Sequence, residues 1–272
     1  MPPSRFNRNF ELLAGRVIVT PPMRIEFSAD KSVIGGLNRM TLRVYNLDET
    51  HRLALVKDAE ESRRVPISLS VGYQDVLHLV FRGTVHRGQN YREGPDFVTE
   101  LECLDGGFDF LNSFTSVTVK GKTVAVDAVL ADMPNTAKGK LRTQEPLLRP
   151  KVLVGQSATL LDEMMNDGET WYIADEKLYI IKDDEVVSAY VPVVTAKTGL
   201  LNTPTREYSK VTFETLMNPT LKIGGLCKLE SQSAPHLNGV YKLYSMGYAG
   251  DTHGADWKQT ITAFLAGGYR VL

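Results

Sequence analysis

Apolar and polar residues alternate along much of the chain. Met23, Ile25 and Phe27 are separated by Arg24 and Glu26, and Met40, Leu42 and Val44 by Thr41 and Arg43. Val65, Ile67, Leu69 and Val71 alternate with Pro66, Ser68 and Ser70, and Phe97, Thr99, Leu101 and Cys103 with Val98, Glu100 and Glu102. A period of two puts successive side chains on opposite faces, so these runs predict antiparallel strands with one buried and one wet face. Gly35-Gly36, Gly88-Gln89-Asn90 and Gly106-Gly107 punctuate them as turns. Short strands at this spacing predict a barrel or a sandwich. Between the second and third runs, Asp48 can cap a short helix that includes Leu53 to Lys57.

The middle of the chain changes character. Ser116 to Lys120 reads as a strand, Gly121-Lys122-Thr123 as a turn, and Val124 to Met133 as a helix ended by Pro134-Asn135. Ala137 to Pro150 is basic and weakly patterned, which predicts a loop. Ser157 is expected to cap a helix through Met165, with Leu160, Leu161, Met164 and Met165 on its buried face. Trp171–Ile173 and Leu178–Ile181 then form a hairpin around the four-residue loop Ala174-Asp175-Glu176-Lys177. Alternation returns at Val211–Glu214, Leu226–Glu230, Val240–Ser245 and Thr260–Phe264. The organisation is therefore mainly β, α+β overall: a β-domain at 1–113, a small α+β module with its own core at 114–190, and a second β-domain at 191–272. Ile34-Gly35-Gly36-Leu37 and Ile223-Gly224-Gly225-Leu226 each precede a strand and form a short echo between the two β-domains.

Composition narrows the function. Apolar residues make up 43% of the 272, enough to fill real cores. The formal net charge of -1 argues against a protein that wraps nucleic acid. The first residues lack the apolar segment of a targeting signal, and no apolar run reaches the roughly 18 residues of a membrane span. Cys103 and Cys227 both fall in strand-like runs, which predicts two buried thiols.

Candidate chemistry is sparse. His51, His78, His86, His236 and His253 are scattered, and neither cysteine is near the other, so no metal spacing emerges. Asp251, His253 and Asp256 could bind a cation or move a proton, but their setting reads first as a loop between strands. Gly155-Gln156-Ser157-Ala158-Thr159 lacks the second glycine of a nucleophile elbow. Lys120-Gly121-Lys122-Thr123 lacks the first glycine of a phosphate-binding loop. Asp162-Glu163 and Asp183-Asp184-Glu185 read as exposed charge runs. No catalytic, cofactor-binding or metal-binding residue is assigned, and no cofactor. Basic clusters occur at Arg5 to Arg8, at Arg63-Arg64 and at Lys138 to Arg149. The last, with Lys138, Lys140, Arg142 and Arg149, is the candidate interaction loop. Reversing the charge of Lys138, Lys140 and Arg142 together is expected to spare the fold and weaken assembly.

Two stretches resemble a known family. Phe27 to Thr50, with its strand ending in Tyr45-Asn46-Leu47 before a short helix, looks like the first domain of phage baseplate hub proteins. The succession Lys197–Pro204, Leu216-Met217-Asn218-Pro219, Ile223-Gly224-Gly225, Gly239–Lys242 and Gly247–Gly254 is similar to their C-terminal half, and Gly155 to Ile181 fits between. The resemblance is to the late-control D hubs of contractile tails and to the base of the type VI secretion spike. It implies two antiparallel β-barrel, tube-like domains per chain, assembled as a homotrimer into a pseudo-six-fold ring. It also implies a virion structural protein, not an enzyme, assembled in the host cytoplasm and lining the channel at the baseplate. Its partners would be the tail tube protein, the spike protein, other baseplate proteins and the tape measure protein. No membrane is involved, and DNA is only passing cargo. A distal-tail or tube-initiator ring protein and a tail-associated cell-wall hydrolase are the alternatives.

Overall fold

The computed structural model describes residues 7–34, 37–142, 150–268 and 270–271. The N-terminal region holds β1 (Arg8–Ala14), β2 (Val17–Val19), β3 (Ile25–Ser32), β4 (Arg39–Tyr45), α1 (Glu49–Leu55), β5 (Pro66–Tyr73), β6 (Val76–Glu93), β7 (Asp96–Leu104) and α2 (Gly107–Asn112). The middle region holds β8 (Phe114–Val119), α3 (Lys122–Ala131), β9 (Ala137–Leu141), β10 (Lys151–Gln156), α4 (Ser157–Met164), β11 (Glu169–Ile173), β12 (Lys177–Lys182) and β13 (Glu185–Val186). The C-terminal region holds β14 (Val193–Thr195), β15 (Thr205–Glu207), β16 (Lys210–Leu216), β17 (Leu226–Glu230), β18 (Gly239–Asp251), β19 (Trp257–Leu265) and β20 (Arg270–Val271).

The protein is mainly β. Thirteen strands belong to one sheet in the order β15-β16-β19-β18-β3-β4-β7-β6-β5-β1-β2, with β17 attached to β18 and β14 to β17. The seam between the two ends of the chain is the antiparallel pairing of β3 with β18, from Ser32↔Ser245 to Glu26↔Asp251. Among the described residues this path is open, ending at β2 and β15, and no ring of strands closes on itself. The alternation that predicts the strands also sets their faces. In β4, Met40, Leu42 and Val44 are buried while Arg39 and Thr41 face water. Leu42 stands between Phe27 of β3 and Leu101 of β7. These side chains join Phe10, Leu69, Phe81, Phe213, Leu243 and Ile261 in one large core that draws on both β regions. Asp48 caps α1, accepting from the backbone N–H of His51 at 3.0 Å. Gly88 admits the chain after α1: its backbone exchanges two hydrogen bonds with Lys57, and a Cβ there would lie 2.1 Å from the Leu55 carbonyl.

Several sequence expectations are corrected in the middle region. Ala137–Leu141 is not loop but a strand, parallel to β12. Its Lys-Gly-Lys sequence carries no apolar alternation because it is an edge strand with one neighbour. Gly139 allows the approach, since a Cβ there would lie 2.5 Å from the Leu178 carbonyl. Residues 143–149 of the expected loop lie outside the described residues, as do Gly35 and Gly36 of the short echo and Arg5. Ser157 is the first residue of α4, not its cap, and its hydroxyl meets that of Thr115 at 2.9 Å. Gly106-Gly107 leads into α2 instead of only turning the chain.

The module buries a core of its own, and its hairpin also contributes to the large one. Val126, Val129, Leu153, Leu161, Trp171, Ile173, Leu178 and Ile180 form a second, smaller core. Tyr172 and Ile181 of the same hairpin face the large one. The hairpin is thus buried on both faces, which explains its continuous apolar runs. Trp171 stacks on Phe110 with ring centroids 6.2 Å apart, and its indole N–H donates to Asp162 at 2.7 Å.

Candidate functional site

The polar chemistry of the chain concentrates where the middle module meets the sheet. The β11–β12 hairpin turns in two residues instead of four. Ala174 and Lys177 exchange both backbone hydrogen bonds, and Asp175 and Glu176 have φ of 55° and 58°. That is the conformation of the tight hairpin turn whose twist matches its strands. The two turn amides donate to the carboxylate of Asp105, at 2.6 Å from Asp175 and 2.7 Å from Glu176. Asp105 follows β7 directly and is fully buried. Asn38 ties the same point together, donating to the Ile173 carbonyl at 2.7 Å and accepting from the Ser32 amide at 2.9 Å. Two ion pairs flank the turn: Lys31 with Asp175 at 2.5 Å and Arg64 with Glu176 at 2.7 Å.

The module is held to the C-terminal region as well. Lys242 donates to the carbonyls of Lys182 and Asp183, at 3.2 and 3.0 Å. Short β13 pairs in parallel with β20, and the Val187 amide donates to the Gly224 carbonyl at 3.0 Å. Glu185, expected on an exposed charge run, is buried there and pairs with Arg142. Lys122, expected in a plain turn, is buried too and pairs with the fully enclosed carboxylate of Glu169. These groups have a structural use: each fixes one element of the module to another.

Asp105 gives this junction a pH dependence. Burial pushes its carboxyl up to about 7, with Asp175 acting in the same direction against Lys31 and the two turn amides. An unfolded aspartate titrates near 3.9. The folded chain therefore holds this proton where the unfolded chain has released it. The contribution to stability is full below about 4 and is lost as pH rises through about 7. Urea unfolding between about pH 4 and about pH 8, a range that covers this window, should show that loss in the wild type. Asp105→Asn should flatten the difference, and a variant with the unchanged slope would remove Asp105 as its source.

The sequence candidates fall into three groups. Lys138 and Lys140 lie on β9 and are exposed, with Lys138 in an ion pair to Asp127 at 2.8 Å. Arg142, just past the strand, is half-buried and faces Glu185 and Glu169, so it belongs to the polar interior and not to a docking loop. Arg149 lies outside the described residues. Reversing Arg142 would therefore set two buried carboxylates against a third, contrary to the expectation that its charge is dispensable for folding. Asp251, His253 and Asp256 sit in the β18–β19 connection. Asp251 is engaged by Arg24 at 3.0 Å and by the His253 amide at 2.8 Å. Arg8 donates to the carbonyls of Asp251, Gly254 and Ala255. Among the described residues no group of three or more His, Cys, Asp or Glu is placed to hold a metal ion. Cys103 and Cys227 are free and buried, and burial raises both thiols, Cys227 to about 12. The residues that sequence reasoning missed, Asp105, Asn38 and Lys31, carry one signal: a polar residue at a strand end where the pattern calls for the core side.

The comparisons with known proteins agree with this architecture. The model of the family described as baseplate hub gp41 matches residues 6–263. No curated protein sequence matches. Among solved structures, the 43 kDa tail protein of prophage MuSo2 from Shewanella oneidensis is similar at a TM-score of 0.68 and 10% identity, over 96% of this chain and 97% of that one. A tail protein from Neisseria meningitidis MC58 is similar at 0.64 and 10% identity, over 97% and 98%. The E. coli protein c3393, a type VI secretion component with structural similarity to T4 tail proteins gp27 and gp5, is similar at 0.67 and 10% identity, over 95% and 78%. At such identities these structures speak for the fold, while the family match spans nearly the whole sequence. The chain belongs to the baseplate hub gp41 family.

Proposed function

We propose that this protein is the hub of a contractile phage tail, joining the hexameric tail tube to the trimeric spike and lining the channel between them. The observation that carries this reading is the β3–β18 seam, which puts both β regions of one chain into a single sheet. Residues 1–113 and 191–272 would each act as one tube-like domain, so three chains would supply six positions around a ring. The open ends of the sheet favour such an assembly. β15 is exposed along its whole length, and Tyr208 beyond it is 90% exposed. Unpaired strand edges of this kind call for a neighbour to cover them. The module at 114–190 would sit outside the ring, where it would meet other baseplate proteins. The role is structural, with the tube, spike and tape measure proteins as further partners and the virion as its place. DNA would pass through the ring without being bound.

The basic face of the module tests the outward placement. Lys138→Glu with Lys140→Glu, leaving Arg142 intact, should melt like wild type and reduce incorporation of the protein into tails severalfold. Full incorporation of this double variant, measured by quantitative mass spectrometry of purified particles, would remove the module face from the contact.

A further inference from the structure

Strands β16, β19, β18, β3, β4, β7 and β6 follow one another in the large sheet and turn one face into the large core. Their other face is polar and runs in rows across the strands. In one row Asp251, Glu26, Arg43, Glu100 and Gln89 stand side by side. In the next come Lys258, Ala249, Ser28, Thr41, Glu102 and Arg87. In the third come Glu214, Thr260, Gly247, Asp30 and Arg39. The middle of each of the last two rows is built from short side chains, which leaves the centre of the face shallow.

Every cation of these rows stands beside a carboxylate. Arg43 meets Glu100 at 2.8 Å, Lys258 meets Glu214 at 3.2 Å and Arg87 meets Glu102 at 3.7 Å. Arg39 lies directly across the ladder from Asp30. Arg24, just ahead of β3, meets Asp251 at 3.0 Å and also pairs with Glu26. With Arg24 included, five cations stand against six carboxylates, so the face as a whole carries one negative charge. Arg43, Arg87 and Lys258 keep 41%, 51% and 38% of their side chains exposed. Exposed pairs of this kind add little to stability. Their effect is on the field of the surface: without the carboxylates, three cations would be open to any polyanion that came near.

We infer that this face forms the inner wall of the channel, and that Glu100, Glu102 and Glu214 mask its cations so that DNA slides past without being held. The placement in the channel rests on the hub reading above, and the masking rests on the ion pairs alone. Affinity of a protein for DNA without regard to sequence comes from lysines and arginines that neutralise phosphates and release their counterions. A cation already paired with a carboxylate gains less from a phosphate, and the carboxylate repels it. A shallow centre offers no long side chain to catch the passing strand.

The test measures binding of a labelled short duplex DNA by fluorescence anisotropy at about 0.15 M salt. The wild-type chain is expected to bind hardly at all. Glu100→Gln with Glu102→Gln and Glu214→Gln should tighten binding about tenfold or more, with a salt dependence steeper by up to roughly three counterions. Glu11→Gln with Glu60→Gln and Asp167→Asn makes the same change in net charge at exposed positions outside the rows, and should leave binding near the wild-type level. Should the first variant fail to fold, Glu102→Gln with Glu214→Gln spares the hydrogen bonds of Glu100 to Tyr91 and Gln89 and should still bind severalfold more tightly than wild type. Equal binding by the row variant and its equal-charge control would overturn the masking, and so would a wild-type chain that binds as tightly as the row variant. Placement is read separately, from a map of the tail tip. Rows that border the channel support it, and rows turned away from the channel would overturn it whatever the binding result.

Discussion

Leu42→Asp is expected to abolish folding. Leu42 is fully buried on β4, with Phe27 and Leu101 as its cross-strand neighbours. Truncation to alanine there should cost about 2–5 kcal/mol through lost transfer energy and the cavity left behind. Aspartate adds a carboxylate between two apolar cross-strand neighbours, Phe27 and Leu101. An unpaired buried charge costs several kcal/mol more. Domains of this kind are stable by only about 5–15 kcal/mol in all. Circular dichroism and gel filtration should show no cooperative transition and no discrete folded species for Leu42→Asp, and a destabilised but folded Leu42→Ala. Because this core draws on both β regions, the loss should be global. A Leu42→Asp protein that melts within a few degrees of wild type would mean that β4 does not lie at the centre of the sheet.

The ion pair of Lys122 with Glu169 should have the second largest effect, and a sign that depends on how it is broken. Both side chains are enclosed, at 3% and 0% exposure. Burial by itself pushes the Glu169 carboxyl up, yet Lys122 and the Asn166 amide at 2.9 Å outweigh it and hold the group below its ordinary value. Glu169→Leu alone should cost about 3–5 kcal/mol, because it strands the enclosed Lys122 charge, and Lys122→Met less, because Arg142 still faces Glu169 at 3.7 Å. The double variant should recover most of that loss and can match wild type, since well-packed apolar replacements of a buried pair are often neutral. A double-mutant cycle from urea unfolding gives the coupling directly. Additive losses would show that the two groups do not share one site.

Much of the fold was legible because it rests on period-two alternation. Ile25, Phe27, Met40, Leu42 and Val44 mark the strands at the seam, and Asp48 marks the start of α1. What stayed hidden was whatever depends on two distant segments meeting. β9 carries Lys138-Gly139-Lys140, which has no pattern to read, and it becomes a strand only because β12 offers an edge. The hairpin reads as part of a separate module because its apolar runs do not say that Tyr172 faces one core and Trp171 the other. The charged residues Lys122, Glu169 and Glu185 look solvated in sequence, since pairing with a partner dozens of positions away leaves no local trace. Of the candidate interaction residues, Lys138 and Lys140 keep their exposed setting, while Arg142 turns inward to carboxylates that no local pattern ties to it.

The central claim is that one chain supplies two of the six positions around a tail ring. A cryo-electron microscopy map of the tail tip that locates this chain tests it most directly. The account predicts three copies in the ring between tube and spike. Residues 1–113 and 191–272 should alternate around the channel, with the module at 114–190 on the outside. Six copies related by six-fold symmetry, each giving a single domain to the wall, would contradict it and support a distal-tail ring instead.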